Sequence, residues 1–299
     1  MTRKKTRILV LGSKGRLAGS LVHCWSGSHE MTALARPAID VADWRSLPRQ
    51  LDRMECDILM NGTGLTNVDL CESAREEARD VNAIAPGILA EWASGRGARL
   101  VHFSTDYVFD GDKSTAYDEE DVPSPLGWYG ATKLEGERRV LACDSRHVVA
   151  RVSWVFGEAK ASFVDALIER ALRQESVEAI SDKFSCPTSA GDCAEWLEFF
   201  FAPSSPGGLF HLCNTGACSW RDYGEKALEF ALDAGLPLRT TAVRAIQLAD
   251  MKQFIAPRPV FSILSTHKLA ATTGIKPRHW HEALRDYILK KYASIPSPA

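Results

Sequence analysis

Short apolar runs alternate with amphipathic segments through the first half of the chain. The runs are RILVLG (7–12), EMTALA (30–35), DILMNGTG (57–64), RLVHFST (99–105) and HVVARVSWVF (147–156). Between them lie helical patterns, clearest in SAREEARDVNAIAPGILAEWASG (73–95) and YGATKLEGERRVLAC (129–143). A strand without polar interruption is buried on both faces, so the pattern predicts a parallel sheet with helices on each side. In such sheets ligands gather at the carboxyl ends of the strands. Those ends read GSKG, ALAR, NGTG, STDY and SWVF, all rich in small or polar residues. The second half is less regular. VEAIS (177–181) and GLFHLCN (208–214) read as strands. SWRDYGEKALEFALDAG (219–235) reads as a helix capped by Ser and stopped by Gly, and HWHEALRDYILKKY (279–292) as an amphipathic helix. The tail SIPSPA (294–299) is expected to be loosely held. The fold class is therefore α/β: a doubly wound parallel sheet of six or seven strands over residues 1–156, with a smaller mixed α/β lobe over 157–299. Some strands and helices of the second part are expected to return to the first.

Composition narrows the functions. The chain has 299 residues, 45% apolar and 25% charged, and a formal net charge of −2. That balance gives no electrostatic footing for nucleic acid or an anionic membrane. Neither an 18-residue apolar stretch nor a small-residue cleavage site follows the basic start, so neither a membrane span nor a leader is expected. Eight cysteines are scattered with no C-x-x-C, which reads as reduced, mostly buried thiols in a cytoplasmic protein. No His/Cys cluster has ligand spacing, so no metal is expected.

LVLGSKGRLAGSL (9–21) follows the first strand and opens a helix, the arrangement of a dinucleotide-binding Rossmann turn. Gly12 permits the tight turn, Gly15 allows close approach of a pyrophosphate to a helix N-terminus, and Ala18 supplies the small third position. Gly19 is out of phase. The alternative is a plain strand-to-helix turn. An NAD site usually places a carboxylate at the end of the second strand, about 20 residues past the loop. Here Ala35-Arg36 stands there, and Arg36 with Lys14 and Arg16 would suit a 2′-phosphate. The expected cofactor is NADPH, with NADH left open.

Tyr129 and Lys133 lie four residues apart and share one helical face. On spacing alone the pair reads as a cation and a ring on a wet surface. Its position after the strand that ends in Ser104-Thr105 gives it chemistry. Carbonyl reduction needs a proton for the developing alkoxide, and a cation one turn away makes a tyrosine a better acid.

These blocks together, GSKGRLA, STDYVFDG, YGATKLEGE and RVSWVFGE, resemble the extended short-chain dehydrogenase/reductase superfamily and, within it, the dTDP-4-dehydrorhamnose reductase family. DKFSCPTSAGDCA, GLFHLCNTGACSW, RPVFSIL and HWHEALRDY carry the resemblance through the second half in outline. It implies Thr105, Tyr129 and Lys133 as catalytic residues. It implies Gly15, Arg16 and Leu17 at the pyrophosphate, Asp40 and Val41 on the adenine side, and Gly64, Leu65 and Thr66 in a loop over the cofactor, with Tyr129 and Lys133 also on the cofactor. Thr105, Asp106 and Trp154 are implied substrate contacts; Trp154 could equally be a core aromatic. Asn82 fits a residue that supports the site, or a structural one. The segment GTGLT departs from the family's usual Ala-Ala-aromatic-Thr, with Leu65 replacing a polar or aromatic side chain, which bears on substrate preference.

The implied function is NADPH-dependent reduction of the 4-keto group of a nucleotide-activated 6-deoxy sugar, as in dTDP-L-rhamnose biosynthesis. A nucleotide sugar is the expected partner, and a homodimer is left open. A 4,6-dehydratase would carry Thr-Asp-Glu where this chain has Thr105-Asp106-Tyr107, and an epimerase would want the missing ribose carboxylate. A third reading is a non-catalytic, NADP-binding regulatory subunit like the methionine adenosyltransferase beta subunit; the intact Thr105–Tyr129–Lys133 set argues against it.

Overall fold

The structure, a computed structural model, describes residues 5–292. The expectation for the tail 294–299 lies outside the described residues. Six parallel strands form the central sheet: β1 (Arg7–Leu11), β2 (Glu30–Leu34), β3 (Ile58–Asn61), β4 (Arg99–Thr105), β5 (Val148–Val152) and β6 (Gly208–His211). Their spatial order is β6-β5-β4-β3-β1-β2. The chain thus steps one way from β1 to β2 and the other way from β1 to β3, which opens a crevice at the carboxyl ends of β1 and β3. The strand at 208–211 belongs to the second half of the chain and completes the sheet beside β5.

Alternation explains the unbroken apolar runs. Ile8 and Val10 of β1 pack on one face with α1 (Arg16–Trp25) and the helix Ala190–Glu198. Leu9 and Leu11 face the other way, onto Leu89 and Trp92 of the helix Ala85–Gly95. Leu9 pairs in register with Leu59 on one side and Thr32 on the other. β2 lies at the sheet edge and is largely exposed. A separate cluster, built on Phe156, Leu167, Tyr223, Trp280 and Leu284, holds the helices 163–171, 220–233 and 280–292 together.

Two expected elements are broken, each with a local cause. The run 147–156 is not one strand. β5 ends at Val152, Trp154 takes φ 41°, and Val155–Phe156 pairs with Thr188–Ser189 outside the central sheet. The helical pattern 73–95 contains a π-helical turn at Asp80–Ile84 just before Pro86. Proline has no N–H for the carbonyl of Asn82 four residues back, so a regular helix cannot run through.

α2 (Trp128–Cys143) carries the tyrosine and lysine. It packs unusually close to the chain before it. A Cβ on Gly130 would come 2.1 Å from the Tyr107 carbonyl oxygen, so only glycine lets the helix sit there. That contact fixes Tyr129 against the end of β4.

Candidate active site

The turn after β1 is built around Gly12, which has φ 78°. A Cβ there would lie 2.6 Å from the Gly62 carbonyl oxygen at the end of β3. Ala18 meets the same turn: a Cβ on Gly62 would sit 2.6 Å from its own. Gly15 caps α1 without a side-chain hydrogen bond, and the first turn of α1 carries no acidic residue. The first N–H groups of this ten-residue helix therefore face the crevice ready for an anion. A cavity of about 310 Å³ adjoins them, lined by Gly12, Gly15, Arg36, Asp40, Val41 and Gly64 among others. Lys14 donates to the Arg36 carbonyl at 3.2 Å, which brings both cations to one end of that cavity. These residues fit a dinucleotide with an extra phosphate.

Arg16 does not join them. Its guanidinium donates to the carbonyls of Lys160 (3.2 Å) and Ala161 (2.6 Å). The first turn of α1 directs this side chain toward the second lobe, and Arg16 lines the second cleft with Gly15 and Leu17. Leu65 stands on the loop between Gly64 and Thr66. Its side chain packs on the core cluster beneath the helix Ala85–Gly95, and the Asn82 amide clamps its backbone, accepting its N–H at 2.9 Å and donating to its carbonyl at 3.0 Å. Leu65 therefore shapes the loop from beneath, while Gly64 and Thr66 line the cleft. Asn82 further donates to Thr132 of α2 at 3.3 Å, so it ties loop to helix.

A second cleft of about 590 Å³ continues from the first past Gly15, Gly62, Thr63 and Gly64. Leu17, Thr105, Asp106, Tyr129, Lys133 and Trp154 all lie on its wall. The pair read as a cation and ring on a wet helix face is nothing of the kind. Lys133 is 3% exposed; its Nζ donates to the Phe103 carbonyl at 2.6 Å and lies 3.3 Å from His102 Nε2. Burial pushes its pKa down to about 8, with Glu137 pulling the other way. Burial raises the pKa of Tyr129 above the usual phenol value, and a hydrogen bond with Thr105 partly offsets this. The phenol thus keeps its proton at neutral pH, as a proton donor must.

Thr105 Oγ1 accepts the Tyr107 N–H at 3.2 Å and donates to Asp106 Oδ1 at 3.1 Å. Asp106 Oδ2 accepts from Ser185 (3.1 Å) and Ser262 (2.5 Å). Sequence reading missed both serines, which stand 79 and 156 positions away; no local spacing could reveal them. Asp106 is anchored by three hydroxyl donors. Trp154 packs edge-on against Trp220 (ring centroids 5.3 Å apart) and also lines the cleft.

The family described as the RmlD substrate binding domain matches residues 6–293. The chain belongs to this family, that of the dTDP-4-dehydrorhamnose reductases. It is 33% identical to the dTDP-4-dehydrorhamnose reductase of Sinorhizobium fredii, over 93% of this chain and 95% of the relative. It is 32% identical to the spore coat polysaccharide biosynthesis protein SpsK of Bacillus subtilis, over 96% and 98%. The crystal structure of a dTDP-4-dehydrorhamnose reductase from Bacillus anthracis in complex with NADP superposes with a TM-score of 0.89 at 26% identity, covering 96% of this chain and 99% of that one. Family membership and the Rossmann frame make the chain an NAD(P)H-dependent oxidoreductase of sugar nucleotides.

Proposed function

We propose that the chain reduces the 4-keto group of a nucleotide-activated 6-deoxy sugar with NADPH, and that Tyr129 delivers the proton. One observation carries this reading: Thr105, Tyr129 and a buried Lys133 converge on a cleft continuous with the glycine turn. When bound, the dinucleotide would supply hydride; Gly12, Gly15, Leu17, Arg36, Asp40, Val41, Gly64 and Thr66 are placed to hold it. Tyr129 presents its hydroxyl to the carbonyl oxygen, and Thr105, whose single proton goes to Asp106 before substrate enters, turns that proton to the same oxygen and orients it. Tyr129 gives its proton to that oxygen as negative charge develops, and the Lys133 ammonium stabilises the phenolate left behind. Asp106, held by Ser185 and Ser262, keeps Thr105 in place.

The sugar end of the cleft runs into a further pocket of about 260 Å³, lined by Arg16, Trp154, Phe163, Trp220 and Tyr223 among others. Rings with one cation suit the base and phosphates of a nucleotide. We accordingly assign cofactor binding mainly to residues 1–156 and substrate binding mainly to 157–299. A cytoplasmic location fits the eight free cysteines, and among the described residues no helix is long and apolar enough to cross a membrane. Incubation with NADPH and a panel of 4-keto-6-deoxy sugar nucleotides should consume one of them with matching loss of nicotinamide absorbance. Stable NADPH with every member would defeat the reading.

Two expectations follow from the charges. Arg36→Ala should weaken NADPH binding more than NADH binding, by a modest factor because the exposed contact is screened by salt. Equal losses, measured by titration of both cofactors, would remove Arg36 from that role. The second concerns pH. Burial depresses the pKa of Lys133, so the ammonium is lost as pH rises through about 8. If that charge supports the phenolate, kcat should be level on the acid side and decline about tenfold per pH unit well above that value. A profile flat up to the range of an ordinary lysine would contradict it.

A further inference from the structure

A line of hydrogen-bonded polar groups runs from the loop after β3 to the lysine. Asn61, at the end of β3, and His102, inside β4, are both 0% exposed. Asn61 Oδ1 accepts the Thr63 backbone N–H at 3.1 Å and the Thr63 hydroxyl at 2.5 Å. A backbone N–H can only donate, so this fixes which way the Asn61 amide points. Its Nδ2 therefore faces His102 Nδ1, 3.0 Å away. Nδ2 also only donates, so His102 Nδ1 accepts, and a neutral imidazole carries its proton on Nε2. Burial, with the Lys133 charge adding to it, keeps His102 neutral, its pKa well below the usual histidine value.

Nε2–H then points at Lys133 Nζ, 3.3 Å away. An ammonium would set N–H against N–H at this contact. A neutral amine offers its lone pair there and still donates to the Phe103 carbonyl. Moving the imidazole proton to Nδ1 only transfers the conflict to Asn61. The polarity of the whole chain is thus anchored on the Thr63 backbone, and Thr63 lines both clefts.

We propose that His102, oriented by Asn61 and Thr63, is a positioning residue for Lys133: its Nε2–H donates to the lysine nitrogen only when that nitrogen is a neutral amine, and so sets the balance between amine and ammonium. The other groups facing Lys133 are Glu137, one turn further along α2, and Cys71 from the helix Val68–Ser73; both favour the ammonium, and burial opposes them. Glu137 is itself paired with Arg151 of β5. The loop placed to touch the cofactor is therefore the same loop that fixes the histidine tautomer. The inference rests on the role given to Lys133 above, but its test needs no turnover, so the two can fail separately.

The full-length protein, labelled with 15N in histidine and 13C at lysine Cε, is studied by NMR, with the Lys133 signal identified by its loss in Lys133→Arg. His102 should be the Nε2–H tautomer from pH 6 to 9. An Nδ1–H tautomer or an imidazolium overturns the proposal without any variant at Asn61. Asn61→Asp replaces the amide donor by an acceptor of the same shape, moves the imidazole proton to Nδ1 and lets Nε2 accept from an ammonium. Lys133 should then bind its proton at least about tenfold more tightly, one pKa unit. In a His102→Phe background the same change should give less than about threefold, half a unit. Equal shifts in both backgrounds would mean that only the new charge acts, and would overturn the role of His102.

Discussion

Tyr129→Phe should fold, bind NADPH almost as the parent does, and lose a factor on the order of 10²–10⁴ in turnover. The substitution keeps the ring against Tyr107, whose centroid lies 5.6 Å away, and removes only the hydroxyl. The loss should fall on kcat, because the proton moves only as the alkoxide forms. Lys133→Met should impair the same step and also loosen the site, since its Nζ is anchored on the Phe103 carbonyl of β4. Thr105→Val should lose less than Tyr129→Phe: it removes hydrogen bonds but not the proton source. Steady-state kinetics beside a cofactor titration separates these effects. Near-parental turnover in Tyr129→Phe would return the tyrosine to a packing role.

Glu137→Ala should destabilise the protein by about 3–5 kcal/mol, the usual result of leaving one partner of a buried ion pair alone. Glu137 and Arg151 are each 2% exposed at their side chains and form two hydrogen bonds of 2.8 and 2.7 Å. The Arg151 guanidinium also lies over the Phe109 ring, 5.0 Å from its centroid. Without Glu137 it would be a lone charge between sheet and helix. Replacing both partners, Glu137→Leu with Arg151→Met, should recover much of the loss, because an apolar pair needs no such compensation. Urea unfolding should show a lower midpoint with unchanged slope for the single variant. A single variant within about 0.5 kcal/mol of the parent, the range of ordinary surface changes, would contradict the account.

How far the sequence spoke depended on whether burial follows hydrophobicity. β1 is RILVL, buried on both faces, and its run could mean little else. The glycine turn was readable because Gly12 and Ala18 answer to backbone sterics. α2 is the opposite case. It buries Thr132, Lys133 and Glu137, so its inward face is polar and its pattern resembles a wet surface. Partners outside the helix help to satisfy each of those groups: Phe103 for Lys133, Asn82 for Thr132, Arg151 for Glu137. His102 sat inside RLVHFST, where it reads as a strand residue and nothing more. The break at Trp154 was hidden for a related reason, since the departure from the sheet is made by backbone conformation within an apolar run.

The central claim is transfer of hydride to a sugar carbonyl in this cleft. The most direct measurement is a single turnover of the wild-type protein with NADPH deuterated on the nicotinamide and a 4-keto-6-deoxy sugar nucleotide, with the product read by mass spectrometry. The account predicts one deuterium on C4 of the reduced sugar and an equal amount of oxidised cofactor. Firm NADPH binding with no label in any sugar product would contradict it and leave a protein that binds the dinucleotide without using it.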